Sequence, residues 1–148
     1  LFAEVAAYYK SQGKTFADGL EELFEKFGYF EEKTISLDFP GIHGNDEMGA
    51  IISQFRDKQP DTIGGLKVIR AQDFSKSIET TVNGKITTLP QPKANVLKYW
   101  LEDGSWVAIR PSGTEPKLKF YIGVESDSQV ASQSKIDVMT KDLMSYTK

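Results

Sequence analysis

The chain has 148 residues, 39% of them hydrophobic and 26% charged, and its 18 Lys and Arg against 21 Asp and Glu give a net charge of −3. That is enough for one core; the lack of cysteine excludes a disulfide framework, a thiolate nucleophile and a zinc cluster, and a single histidine, His43, excludes a multi-histidine metal site. The acidic balance argues against broad binding to nucleic acid or anionic membrane, no apolar run approaches the ~20 residues of a bilayer span, and residues 1–10 show no secretory leader, so the expected location is the cytoplasm.

Leu1, Phe2, Val5, Ala6 and Tyr9 recur at helical spacing up to Gly13 and predict the tail of a longer helix. Thr15 with Asp18 has the pattern of a capping box, opening a second helix whose Phe16, Leu20, Leu23, Phe24 and Phe27 share a face before Gly28. Residues 33–39 alternate, with Ile35, Leu37 and Phe39 to one side, and predict a half-buried strand that Pro40 and Gly41 end. Asn45 is the expected cap of the next helix. Asp46 and Glu47 there oppose the helix dipole, and Met48, Ile51, Ile52 and Phe55 form its core stripe, which ends near Pro60. Residues 66–71 predict a strand after the Gly64 and Gly65 turn. The polar stretch 75–93, with Asn83 and Gly84 at its centre, predicts an exposed hairpin or mobile loop. Residues 95–101 and 106–110 form the clearest hairpin, and 117–124 add a strand with Leu118, Phe120, Ile122 and Val124 on one face. Ser126 or Ser128 opens a closing helix that packs through Ile136, Met139, Leu143 and Tyr146. The order predicts an α+β fold, a mostly antiparallel sheet of about four or five strands with helices packed on one face.

One segment carries chemistry: Arg110, Pro111, Ser112, Gly113, Thr114, Glu115, Pro116, Lys117, Leu118 and Lys119, set between two predicted strands. A guanidinium at a strand end offers parallel donors to two oxygens of an anion. Ser112 and Thr114 add hydroxyls, Gly113 lets successive amides converge, and Pro111 and Pro116 stiffen both ends. Strand alternation sends Lys117, Lys119 and Tyr121 to the side opposite Leu118 and Phe120, so a lysine stands beside the loop without entering the core. Charge-assisted hydrogen bonds contribute roughly 1.5 to 3 kcal/mol each, enough for a few of them to hold a phosphate dianion. On residue types alone, an ordinary turn with Arg110 as a surface ion-pair partner fits as well. The other polar candidates read as structure: His43 as a turn residue, Asp38, Asp46 and Glu47 as caps and solvated charges, Trp100 and Trp106 as cross-strand packing.

Read as RPSGTEPKLK and followed by FYIGV, residues 110–119 resemble the phosphate-binding loop in the last domain of the α-D-phosphohexomutases, the phosphoglucomutase and phosphomannomutase family. YYKSQGKTFADGLEELFEKFGYF is similar to that family's junction between third and fourth domains, and LPQPKANVLKYWLEDGSWVAI falls in the expected order, so the resemblance covers nearly the whole chain. It implies a TATA-binding-protein-like fold, with residues 1–13 as the end of a third-domain helix and 14–148 as the phosphate-binding fourth domain. It also implies an enzyme that interconverts glucose 1-phosphate and glucose 6-phosphate through glucose 1,6-bisphosphate. The phosphoserine and the Mg²⁺ of that reaction would sit on domains this chain does not include. Arg110, Ser112, Gly113 and Thr114 would hold the substrate's phosphate, and Lys119 would add a second cationic contact, with Lys117 as its competitor. No two aspartates stand at i and i+2 and no serine stands immediately before the histidine, so this chain is expected to contribute no catalytic residue and to hold the phosphate without turning it over. The implied partners are a phosphosugar and other domains of the same polypeptide, not nucleic acid or membrane. The same domain of a phosphomannomutase or phosphopentomutase, and a stand-alone phosphoanion-binding module, are the alternatives.

Overall fold

The computed structural model describes residues 1–147. Helices α1 (Phe2–Ser11) and α2 (Phe16–Phe27) lead into β1 (Tyr29–Asp38) and α3 (Gly44–Asp57). Then come β2 (Thr62–Ile63), β3 (Leu66–Asp73), β4 (Ile78–Thr81), β5 (Ile86–Thr88), β6 (Leu97–Leu101), β7 (Trp106–Pro111), β8 (Lys117–Ser126) and α4 (Gln129–Ser145). The strands pair antiparallel in the order β1-β8-β7-β6-β3-β4-β5, with β2 on the end of β3. This is the α+β, TATA-binding-protein-like layout expected, but the sheet has eight strands among the described residues rather than four or five.

The additional strands come from β2 and from the polar stretch 75–93. β3 runs on to Asp73 and offers an edge on which β4 pairs from Arg70↔Thr81 to Asp73↔Ile78, and β5 then pairs on β4. Gln72 Nε2 donates to Glu79 Oε2 at 2.6 Å across that pairing, and Leu89 is buried behind it. These strands are seated by backbone bonds, with β5 exposed at every position.

Strand alternation divides the sheet into a covered and an open face. Val107, Ile109, Leu118, Phe120 and Ile122 are fully buried on the covered face. They pack against Met48, Ile52 and Phe55 of α3 and Ile136, Met139 and Leu143 of α4, each worth roughly 1.5 to 3 kcal/mol of burial. Tyr99 joins them with its hydroxyl donating to the Phe55 carbonyl at 2.8 Å. Ser128 is the cap of α4, its Oγ accepting the Ala131 N–H. α3 opens at Gly44 with His43 in the cap position, so Asn45 is not the cap. A Cβ at Gly44 would lie 1.8 Å from the Phe39 carbonyl oxygen, so glycine is what fits at the first helical position.

The helices packed on one sheet face, as expected, are α3 and α4. No residue of α1 is buried, and α2 buries only Gly19, against which the Tyr9 ring rests. The Thr15–Asp18 capping box forms as expected. The apolar stripe Phe16, Leu20, Leu23 and Phe27 it introduces is exposed.

Candidate functional site

β7 and β8 pair from Trp106↔Gly123 to Pro111↔Leu118, and residues 112–116 reverse the chain between them. The loop is pinned at both ends: Ser112 N–H donates to the Lys117 carbonyl at 2.7 Å, Lys117 N–H to the Glu115 carbonyl at 2.8 Å, and Phe39 N–H to the Pro116 carbonyl at 2.8 Å. The Gly113 and Thr114 amides lie beyond this ladder, and Thr114 N–H makes only a long 3.5 Å approach to Ser112 Oγ. Loop amides left out of the ladder are free to donate to a ligand.

Arg110, Lys119 and Tyr121 stand on the open face, where Ser36↔Lys119↔Arg110 and Thr34↔Tyr121↔Ala108 form adjacent cross-strand rows. Arg110, Pro111, Ser112, Gly113, Thr114, Lys119 and Tyr121 line one cleft of about 400 Å³. Small-molecule sites fall in the range of about 300 to 1,000 Å³. The residues expected from the sequence, Arg110, Ser112, Gly113, Thr114 and Lys119, therefore meet in a single place. Tyr121 is the lining residue that sequence reasoning did not select; the signal for it was its position two residues past Lys119 on the same side.

The two lysines separate cleanly. Lys117 Nζ is 3.1 Å from Glu115 Oε2 and 3.5 Å from Asp38 Oδ1, and it does not line the cleft. The Glu115 hydrogen bond and charge, followed by the charge of Asp38, raise its pKa above the usual lysine value. Among the described residues neither Lys119 nor Arg110 has a carboxylate within 4.0 Å. The cleft thus gathers cationic side chains and N–H donors that no carboxylate among the described residues neutralises.

The remaining candidates stay apart from it. His43 is exposed at the start of α3, 3.9 Å from Asp46. Among the described residues no three His, Cys, Asp or Glu side chains gather where they could hold a metal ion, so the Mg²⁺ that the resemblance implies does not fit this chain's own residues. Among those residues, too, no helix is long and apolar enough to cross a membrane.

Fold and cleft together define an antiparallel α+β domain with a cleft lined by cationic and hydroxyl side chains at a hairpin loop. The family model for the phosphoglucomutase/phosphomannomutase C-terminal domain matches residues 50–135, which include the whole loop. The phosphoglucomutase of Staphylococcus epidermidis is 38% identical over 86% of this chain and 23% of its own length. That of Staphylococcus aureus is 33% identical over 94% of this chain and 25% of its own. Among solved structures, pp63/parafusin, a phosphoglucomutase from Paramecium in its open form, superposes with a TM-score of 0.50 over 89% of this chain and 23% of that one at 15% identity, a likeness of fold. The chain belongs to the phosphoglucomutase/phosphomannomutase family and carries its C-terminal domain. It spans about a quarter of the length of the curated relatives it matches.

Proposed function

We propose that this chain is the substrate-phosphate grip of a phosphoglucomutase that interconverts glucose 1-phosphate and glucose 6-phosphate through glucose 1,6-bisphosphate. The observation that carries the reading is the pairing of Arg110 with Lys119 in one cleft, both without a counter-ion, while Lys117 beside them is neutralised. Arg110 presents its fork to two phosphate oxygens, the Gly113 and Thr114 amides and the Ser112 and Thr114 hydroxyls donate to the others, and Lys119 adds a point charge. Holding the unreactive phosphate in this way presents the hydroxyl at the other end of the sugar to a phosphoryl group carried elsewhere on the polypeptide. Each phosphate of the bisphosphate takes the cleft in turn, which suits a grip that reads charge and ignores the rest of the sugar.

The phosphoserine and the Mg²⁺ belong, on this reading, to parts of the polypeptide outside the chain described. The isolated chain binds phosphate weakly and does not turn it over, and the full polypeptide works in the cytoplasm. Residues 1–13 are the end of the preceding domain's helix and 14–148 the C-terminal domain. The bare surface of α1 and the exposed apolar stripe on α2 support a neighbour on that side.

Phosphate or glucose 6-phosphate titrated against the protein should move the amide signals of Ser112 to Glu115 before any others. Silence of those signals at tens of millimolar would overturn the reading.

A further inference from the structure

The open face carries a second cationic cluster beside the cleft. β6 places Lys98 and Trp100 there, β7 places Trp106 directly across from Trp100, and β3 places Arg70 on its other side. Lys98 Nζ lies 4.1 Å from the Trp100 ring centroid and 4.3 Å from that of Trp106, so the ammonium sits between two indoles. Arg70 stacks 4.9 Å from the Trp100 ring. Trp106 reaches this position because β8 has glycine opposite: a Cβ at Gly123 would come within 2.4 Å of the indole.

The two cations differ in what neutralises them. Arg70 is 3.8 Å from Glu79. Lys98 has no carboxylate within 4.0 Å among the described residues, and Glu32, exposed on the same face, acts on it only from a distance. Burial against the rings and the charge of Arg70 hold the Lys98 ammonium below the usual lysine value, against the pull of Glu32. Lys98 pairs across the strands with Ala108, and Ala108 with Tyr121 of the cleft, so this charge stands one small residue away from where a gripped ligand would extend.

We propose that Lys98 is the docking contact for a carboxylate on another domain of the same polypeptide, engaged when that domain closes over a phosphosugar held at Arg110. This rests on the phosphate-grip reading above. The covered face is closed off by α3 and α4, so a group that meets the free end of the ligand has to pass over the open face. The chain is about a quarter of the length of its relatives, which leaves a large remainder of polypeptide to supply that group. Only an acidic surface fits: a neutral or basic one would cover Lys98 and leave its charge without a partner. The indoles hold the side chain in place, so little freedom remains to be lost on pairing.

Carbodiimide coupling, which joins an amine to a carboxylate in contact with it, tests this in the full-length polypeptide with peptide mass spectrometry as the readout. Lys98 should link to an Asp or Glu outside residues 1–148, with higher yield when glucose 6-phosphate is present. Lys98→Met, which keeps the aliphatic stem between the rings, should lower kcat/KM about two- to fivefold, and Lys98→Arg should restore it. A link to Glu32 alone, a link to a second copy in isotope-mixed samples, or no Lys98 link while other lysines couple would each overturn the proposal. Failure of the underlying reading looks different: Arg110→Ala would then leave glucose 6-phosphate affinity unchanged, whatever Lys98 links to.

Discussion

Asp73 and Arg110 both carry charge at the end of a strand, and the protein treats them in opposite ways. Asp73 is 4% exposed and accepts bonds from Arg56 Nε at 3.0 Å, Ser75 Oγ at 2.6 Å and the Ser75 N–H at 3.0 Å, while Arg56 also donates to Asn95 Oδ1 at 2.7 Å. Burial alone would raise its pKa, but the Ser75 hydroxyl and the Arg56 guanidinium together hold it below the usual carboxylate value. Arg110 is exposed, and no carboxylate stands near it among the described residues. A charge already satisfied by its own chain ties elements together; one left without a counter-ion is available to a ligand.

That contrast breaks most readily at Asp73. Asp73→Ala strands the largely buried Arg56 guanidinium and should cost about 3 to 5 kcal/mol in a denaturant titration. A loss under about 1 kcal/mol would mean that water screens the pair after all. Arg110→Ala should do the reverse, leaving the unfolding midpoint unchanged while lowering kcat/KM of the full-length enzyme about a hundredfold, the equivalent of one or two charge-assisted bonds. A variant that lost activity only by unfolding would erase the distinction. Lys119→Met should cost about tenfold. Lys117→Met should stay near the parent, because Glu115 and Asp38 already offset its charge.

Acid sharpens the same comparison. In Asp103, as in Asp73, burial pushes the carboxyl up but is outweighed, here by the Lys135 ammonium and Ser105, so both have folded pKa values below their unfolded ones. The stability they contribute is complete above an unfolded value of about 4 and is lost as pH falls through the folded values. The denaturant midpoint should therefore be flat from about pH 7 to 5 and drop below about pH 4. Tyr121→Phe, which removes one hydroxyl from the cleft, should have a smaller effect than Lys119→Met, raising KM about two- to fivefold with kcat unchanged.

How much of this was legible in the sequence depended on how local the cause was. The Thr15–Asp18 box, the hairpin of β6 and β7 and the loop 110–119 were legible because turn chemistry and alternation act over a few residues. β4 and β5 form the hairpin that Asn83 and Gly84 announce, but their place on the edge of β3 was not legible, because that pairing leaves no buried stripe in residues that are mostly polar and half-exposed or exposed. α3 opens at Gly44 rather than after Asn45, beside a tight backbone approach to Phe39 that the pattern of polar residues does not announce. Lys117 and Lys119 share a side by alternation, so both were candidates. What separated them was Glu115, turned back onto Lys117 by the loop, together with Asp38, distant in sequence and brought alongside by the register of β1 on β8.

The chain has two tryptophans, Trp100 and Trp106, and both lie on the open face, one on each side of Lys98. Tryptophan emission from these 148 residues therefore originates at one small spot, while the core beneath contributes no indole. The wavelength of that emission follows the hydration of the open face, moving to the blue when another body covers it. The rate of that covering can then be timed by rapid mixing, with no dye attached and no residue changed.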